Sequence, residues 1–160
     1  MKNKIYKQRG IGMVEIIVLT AIIVIVFAGF IELARYSLIT QKRSEAKIEA
    51  ANLAAEAIEA VRSVRDEDWN NLSSLSLGTK YYSVILANKW NLTLTDPGQI
   101  NGIYDRWIIF ERVYRDADDN ISSSGAEDPD SKKVTATVEW NDHGQIKQFN
   151  LTTYFTNWTN

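Results

Sequence analysis

The chain has 160 residues, 24% of them charged and 45% hydrophobic, which suits one domain with an appendage. It has no cysteine and a single histidine, His143, so disulfides, thiol catalysis and zinc-thiolate sites are excluded and a histidine-based centre has little to work with. The formal net charge is -2; without Lys2, Lys4, Lys7 and Arg9, 14 basic residues stand against 20 acidic ones, a poor balance for binding nucleic acid.

The first element is apolar. Between Ile11 and Ile31 the only ionisable side chain is Glu15. As a helix rising ~1.5 Å per residue this segment measures ~30 Å, the thickness of a bilayer core. All four early basic residues precede it, so the positive-inside rule keeps the N-terminus cytoplasmic and exports the remainder. A secretory signal peptide cut after Val26-Phe27-Ala28 is one reading, but its apolar region usually runs only ~7 to 15 residues. A plain membrane anchor is another; it leaves Glu15 unexplained, because a carboxylate in a bilayer costs a few kcal/mol unless paired.

A third reading accounts for Glu15. The run Arg9-Gly10-Ile11-Gly12-Met13-Val14-Glu15 resembles the prepilin signature of type IV pilins and type II secretion pseudopilins. The resemblance implies that residues 1–10 are a basic leader. A membrane-embedded prepilin peptidase would cut after Gly10, and the new terminus at Ile11 would be N-methylated. Glu15 would then pair with the Ile11 amine of its own or a neighbouring subunit. Such a pair offsets the burial cost of both charges. Ile11 departs mildly from the family's usual Phe or Met. Glu32 stands where many members have a helix-bending proline, so a kink there is an open question.

The helix is expected to continue. No proline occurs before Pro97, and "RSEAKIEAANLAAEAIEAVRSVRDEDW" is rich in strong helix formers. Glu32 and Arg35 are spaced to pair. Ile48, Ala51, Ala55, Ile58, Val61 and Val64 recur every three or four residues, which predicts an apolar stripe against a sheet. The helix is expected to end near Asp68. That divides the chain into a leader (1–10), an apolar half-helix (11–35), an amphipathic half-helix (36–68) and a β head (72–160).

Strand character follows at Lys80 to Leu86, Trp90 to Thr95, Tyr104 to Arg115, Lys133 to Trp140 and Gln145 to Thr156. Asp142-His143-Gly144 should close a hairpin, and Asp96-Pro97-Gly98 reads as another turn. The predicted class is α+β: a long N-terminal helix on an antiparallel sheet of about four strands. The helix-then-meander order is pilin-like, and "VRSVRDEDWNN", "VEW" and "TTYFTNW" resemble minor pilins of the PilV type.

In the head, Asp116, Asp118, Asn120 and Glu127 match positions one, three, five and twelve of a calcium-loop template. Ile121 stands where the template needs glycine, and the competing reading is a solvated loop from Asp116 to Ser131. Arg62, Arg65, Asp66, Glu67 and Asp68 read as exposed ion pairs at a helix end. Trp69, Trp90, Trp107, Trp140 and Trp158 read as packing residues, with a carbohydrate-stacking surface as the alternative. No phosphate loop or nucleophile constellation occurs, so an enzyme is not expected.

The expected function is therefore a filament subunit, a minor pilin or pseudopilin, held in a bacterial inner membrane before assembly. Its partners would be the prepilin peptidase, other pilin subunits and the inner-membrane assembly machinery. The alternative is a single-pass surface protein whose head binds a ligand.

Overall fold

The structure, a computed structural model, describes residues 12–157. The expectations placed on Gly10, Ile11 and Trp158 lie outside these residues. The elements in chain order are α1 (Met13–Glu67), α2 (Asn70–Ser73), β1 (Lys80–Leu86), β2 (Lys89–Thr93), β3 (Tyr104–Arg115), β4 (Ile121–Ser122), β5 (Ala126–Asp142) and β6 (Gln145–Thr156). The chain forms two compact units, one through Arg43 and one from Ser44.

In the first unit α1 is helical from Met13 onward and stays helical through Glu32. The Glu32–Arg35 pair forms on its surface at 3.6 Å.

In the second unit, the rest of α1 packs on an antiparallel sheet of order β2-β1-β3-β5-β6, with β4 paired to β3. The sheet has six strands rather than the expected four or so. Five of them lie on the segments with strand character, and the sixth, β4, comes with the start of β5 from the stretch read as a loop. Tyr114 and Arg115 pair with Ser122 and Ile121, and β5 begins at Ala126 instead of Lys133. Its register against β3 jumps between Arg112 and Val113, whose partners are Lys132 and Asp128. The residues left over include Pro129, which a regular central strand excludes and a bulge accepts.

Ile58, Val61 and Val64 of the predicted helix stripe are buried as expected, and the face departs from expectation only N-terminal to them. Ala50, Ala54, Ala57, Ile58, Ala60, Val61 and Val64 are buried, whereas Ile48 is 62% exposed and Ala55 faces solvent. Against them stand Tyr104, Ile108 and Phe110 of β3, Val134, Ala136, Val138 and Trp140 of β5, and Phe155 of β6. Burying Phe110 and Tyr81 edge to face, with centroids 5.6 Å apart, adds a directional contact to the area term.

Polar clamps set the helix on the sheet. The Tyr104 hydroxyl contacts the Ala46 carbonyl at 3.3 Å and Glu49 Oε2 at 3.2 Å. Arg106 donates to the Leu53 carbonyl at 3.1 Å and pairs with Glu56, also at 3.1 Å. Burial and the adjacent Glu49 carboxylate together raise the Tyr104 phenol above its usual range.

Candidate functional site

The start of α1 is built from glycine and one acid. The Gly12 carbonyl accepts the N–H groups of Glu15 at 2.9 Å and Ile16 at 3.3 Å, opening the helix. Glu15 lies in this first turn, where its negative charge complements the positive end of the helix dipole. Its side chain is exposed, and among the described residues no ion pair reaches it.

Every residue from Met13 to Gln41 is exposed. The apolar ones surround the helix rather than forming a stripe, as bilayer or helix-bundle contact requires. The helix is long and apolar enough to cross a membrane. Its two threonine hydroxyls are satisfied within it. Thr20 donates to the Ile16 and Ile17 carbonyls at 3.0 and 2.9 Å, and Thr40 to the Tyr36 carbonyl at 2.9 Å. In an apolar medium such back-bonding removes the cost of a bare hydroxyl. A Cβ built on Gly29 meets no atom within 4 Å, so nothing among the described residues requires glycine there.

The calcium-template residues point elsewhere. Asp116 Oδ1 accepts the N–H groups of Asp118 and Asn120 at 3.0 and 2.9 Å, folding its own loop. Glu127 pairs with Arg112 at 3.4 Å. Among the described residues no group of three or more His, Asp or Glu side chains is arranged to hold a metal ion. The loop is instead braced by Arg115, which donates to Asp128 Oδ2 at 2.7 Å and to the Asp119 carbonyl at 2.8 Å. The Arg115 hydrogen bond holds the Asp128 carboxyl below the usual range.

The helix-end charges form exposed pairs: Arg62 with Glu59, Arg65 with Asp66, and Glu67 with Lys89. Trp140 is buried, and Trp69 and Trp90 pack partly against the core. Trp107 is the exception. It lies on the sheet face away from α1, with the Lys80 ammonium 3.7 Å from the ring centroid. Beside it Asp105 stands directly opposite Glu139 in a shallow recess of about 260 Å³. Sequence reasoning did not single out this acidic pair, because only the strand register brings the two residues together.

Comparison with protein-family models, with curated proteins and with solved structures returns no match.

Proposed function

We propose that the chain is a structural subunit of a type IV pilus-like filament, a minor pilin or pseudopilin, with no catalytic role of its own. The observation that carries this reading is Glu15 in the first turn of α1, the one charged side chain in a stretch that is exposed on all sides and otherwise uncharged through Ile31. For a helix that served only as an anchor, the dipole interaction of Glu15 is small against the few kcal/mol that a carboxylate costs in a bilayer. A subunit whose leader is cut after Gly10 gains a partner for it, the amine of Ile11. The flat spot at Gly29 and the all-round apolar surface suit a helix that faces lipid first and neighbouring helices later. The head would be exported and the N-terminus cytoplasmic.

The test is processing of the full-length chain by a prepilin peptidase, read by mass spectrometry. Loss of residues 1–10 and a methylated Ile11 are expected. Persistence of the full-length chain, or a cut after Ala28, would refute the reading. Glu15→Gln should still be cleaved but should enter filaments poorly; incorporation at the wild-type level would remove the account of Glu15.

A further inference from the structure

The unabsorbed feature of the head is an edge. β6 pairs with β5 alone and forms one border of the sheet. Its register runs without a shift from Asp142↔Gln145 to Ser131↔Thr156. One bond past that end fixes the phase: the Asn157 N–H donates to the Asp130 carbonyl at 2.8 Å. Hydrogen-bonded and non-hydrogen-bonded pairs alternate along an antiparallel ladder. The odd-numbered residues of β6 therefore direct their backbone groups to β5. Ile146, Gln148, Asn150, Thr152, Tyr154 and Thr156 direct theirs outward.

Independent features agree with that phase. The side chains of Thr135 and Thr152 meet at 3.0 Å and those of Glu139 and Gln148 at 2.6 Å, as expected where non-hydrogen-bonded partners stand closest. The two-residue turn of His143 and Gly144 has positive φ at both, the I′ geometry that closes on a hydrogen-bonded pair at Asp142 and Gln145.

Natural sheets blunt such edges with short strands, charge, proline or bulges. The other border does so: β2 has five residues and begins at Lys89, which pairs with Glu67. β6 has twelve residues, no proline, no glycine and no bulge. Its one charge, Lys147, turns along the strand to Gln145 at 3.0 Å. On the α1 side Phe149 and Leu151 are only half-buried, so the core row stays open at this border.

The geometry points to strand addition: β6 takes an extended segment of another polypeptide as the next strand. That segment is uncharged and alternates polar with apolar residues, its apolar side continuing the Phe149–Leu151 row. Backbone pairing supplies the affinity and the alternation supplies the register. A second copy fits less well. Tyr104, which pairs with Trp140 beside Lys147, contacts Ala46, while Phe155 lies under Arg65, so α1 runs in the same direction as β6. Pairing two β6 strands about a two-fold axis would reverse one helix against the other. Two copies whose α1 helices run in the same direction cannot pair that way, and this choice of partner rests on the anchoring proposed above.

The test uses the full chain in detergent micelles, so it does not depend on filament assembly. Amide exchange is read by NMR with and without a probe peptide of about twelve alternating Thr and Val residues, a Lys at each end. Alone, the amides of Gln148, Asn150, Thr152 and Tyr154 should exchange fast while their odd-numbered neighbours are protected. The peptide should slow the even-numbered set by about tenfold or more. The same peptide N-methylated at alternate residues should have no effect. Asn150→Pro, which removes an outward N–H and no β5 bond, should abolish the response while odd-residue protection persists. Should that variant unfold, the N-methylated comparison on the unaltered chain decides. Even-numbered amides already protected, no slowing by the peptide, or equal slowing by both peptides would overturn the proposal. Protection that rises with protein concentration alone would assign the edge to a second copy and overturn the choice of partner.

Discussion

Glu56→Ala tests what holds the head to its helix. Arg106 reaches from β3 with a side chain only 8% exposed, and its acceptors are Glu56 and the Leu53 carbonyl. Removing the carboxylate leaves a guanidinium inside the helix–sheet contact with one neutral acceptor. Stranding a fully buried charge costs about 3–5 kcal/mol. Glu56 itself is 46% exposed, so water partly replaces it, and a loss of about 1.5–3 kcal/mol is expected. The double change Arg106→Met with Glu56→Ala removes both charges and leaves an apolar side chain filling most of the buried Arg106 site, so it should be less damaging than Glu56→Ala alone. Urea unfolding of the full chain in detergent, followed by tryptophan fluorescence, gives the comparison through the midpoint at constant slope. Glu56→Ala within about 0.5 kcal/mol of the parent, or a double variant worse than the single one, would refute the reasoning.

Three further outcomes follow from the head. Gly125→Ala places a Cβ 2.0 Å from the Arg115 carbonyl oxygen at φ +139°, and should lower the unfolding midpoint by an amount equivalent to about 1–3 kcal/mol. Ala87 holds φ at 52° in the β1–β2 turn, so Ala87→Gly should raise thermal stability by up to about 1 kcal/mol; an unchanged or lower melting temperature would contradict it. The Asp128 carboxyl titrates below its unfolded value near 3.8, so its contribution is complete above that value and is lost as pH falls through the folded value. Urea midpoints measured across that acid range should show a steeper decline for the parent chain than for Asp128→Asn.

Where the sequence carried its own punctuation, the fold was legible. β1, β3 and β6 occupy the residues their β-branched and aromatic runs mark out. The β5–β6 turn sits where Asp142-His143-Gly144 predicts it. The first half of β5 was hidden because Ala126 to Ser131 is acidic, contains Pro129 and shows no alternation. It is a strand only because β3 continues alongside it and the bulge absorbs the mismatch. The candidate site divides in the same way. Glu15 and the apolar run are visible as isolated facts of composition, since no other acid interrupts them. The recess of Asp105 and Glu139 depends on strand register, which no local pattern encodes.

The departure at the start of the buried helix face has a different cause. In the alanine-rich stretch before Ile58 several phases satisfy a spacing of three or four, and Ile48 and Ala55 mark one that the fold leaves exposed, whereas Ile58, Val61 and Val64 lie where the spacing puts them. Alanine packing is also weakly directional along the helix. Ala50, Ala54 and Ala57 have similar neighbours one turn away, whereas four residues beyond Ile58, Val61 and Val64 stand Arg62, Arg65 and Asp68. The polar clamps also decide between positions one turn apart. Glu49 and Glu56 are two turns apart, ~10.5 Å along the axis, whereas Tyr104 and Arg106 are ~7 Å apart on the strand. A short rigid phenol and a long guanidinium bridge that difference, and each also reaches a main-chain carbonyl at its own site. Small side chains on the buried face leave those carbonyls within reach. A one-turn slip would change the alanine contacts little but would strand both Tyr104 and Arg106 and displace Ile58, Val61 and Val64, so the polar groups and the larger apolar ones set the register together.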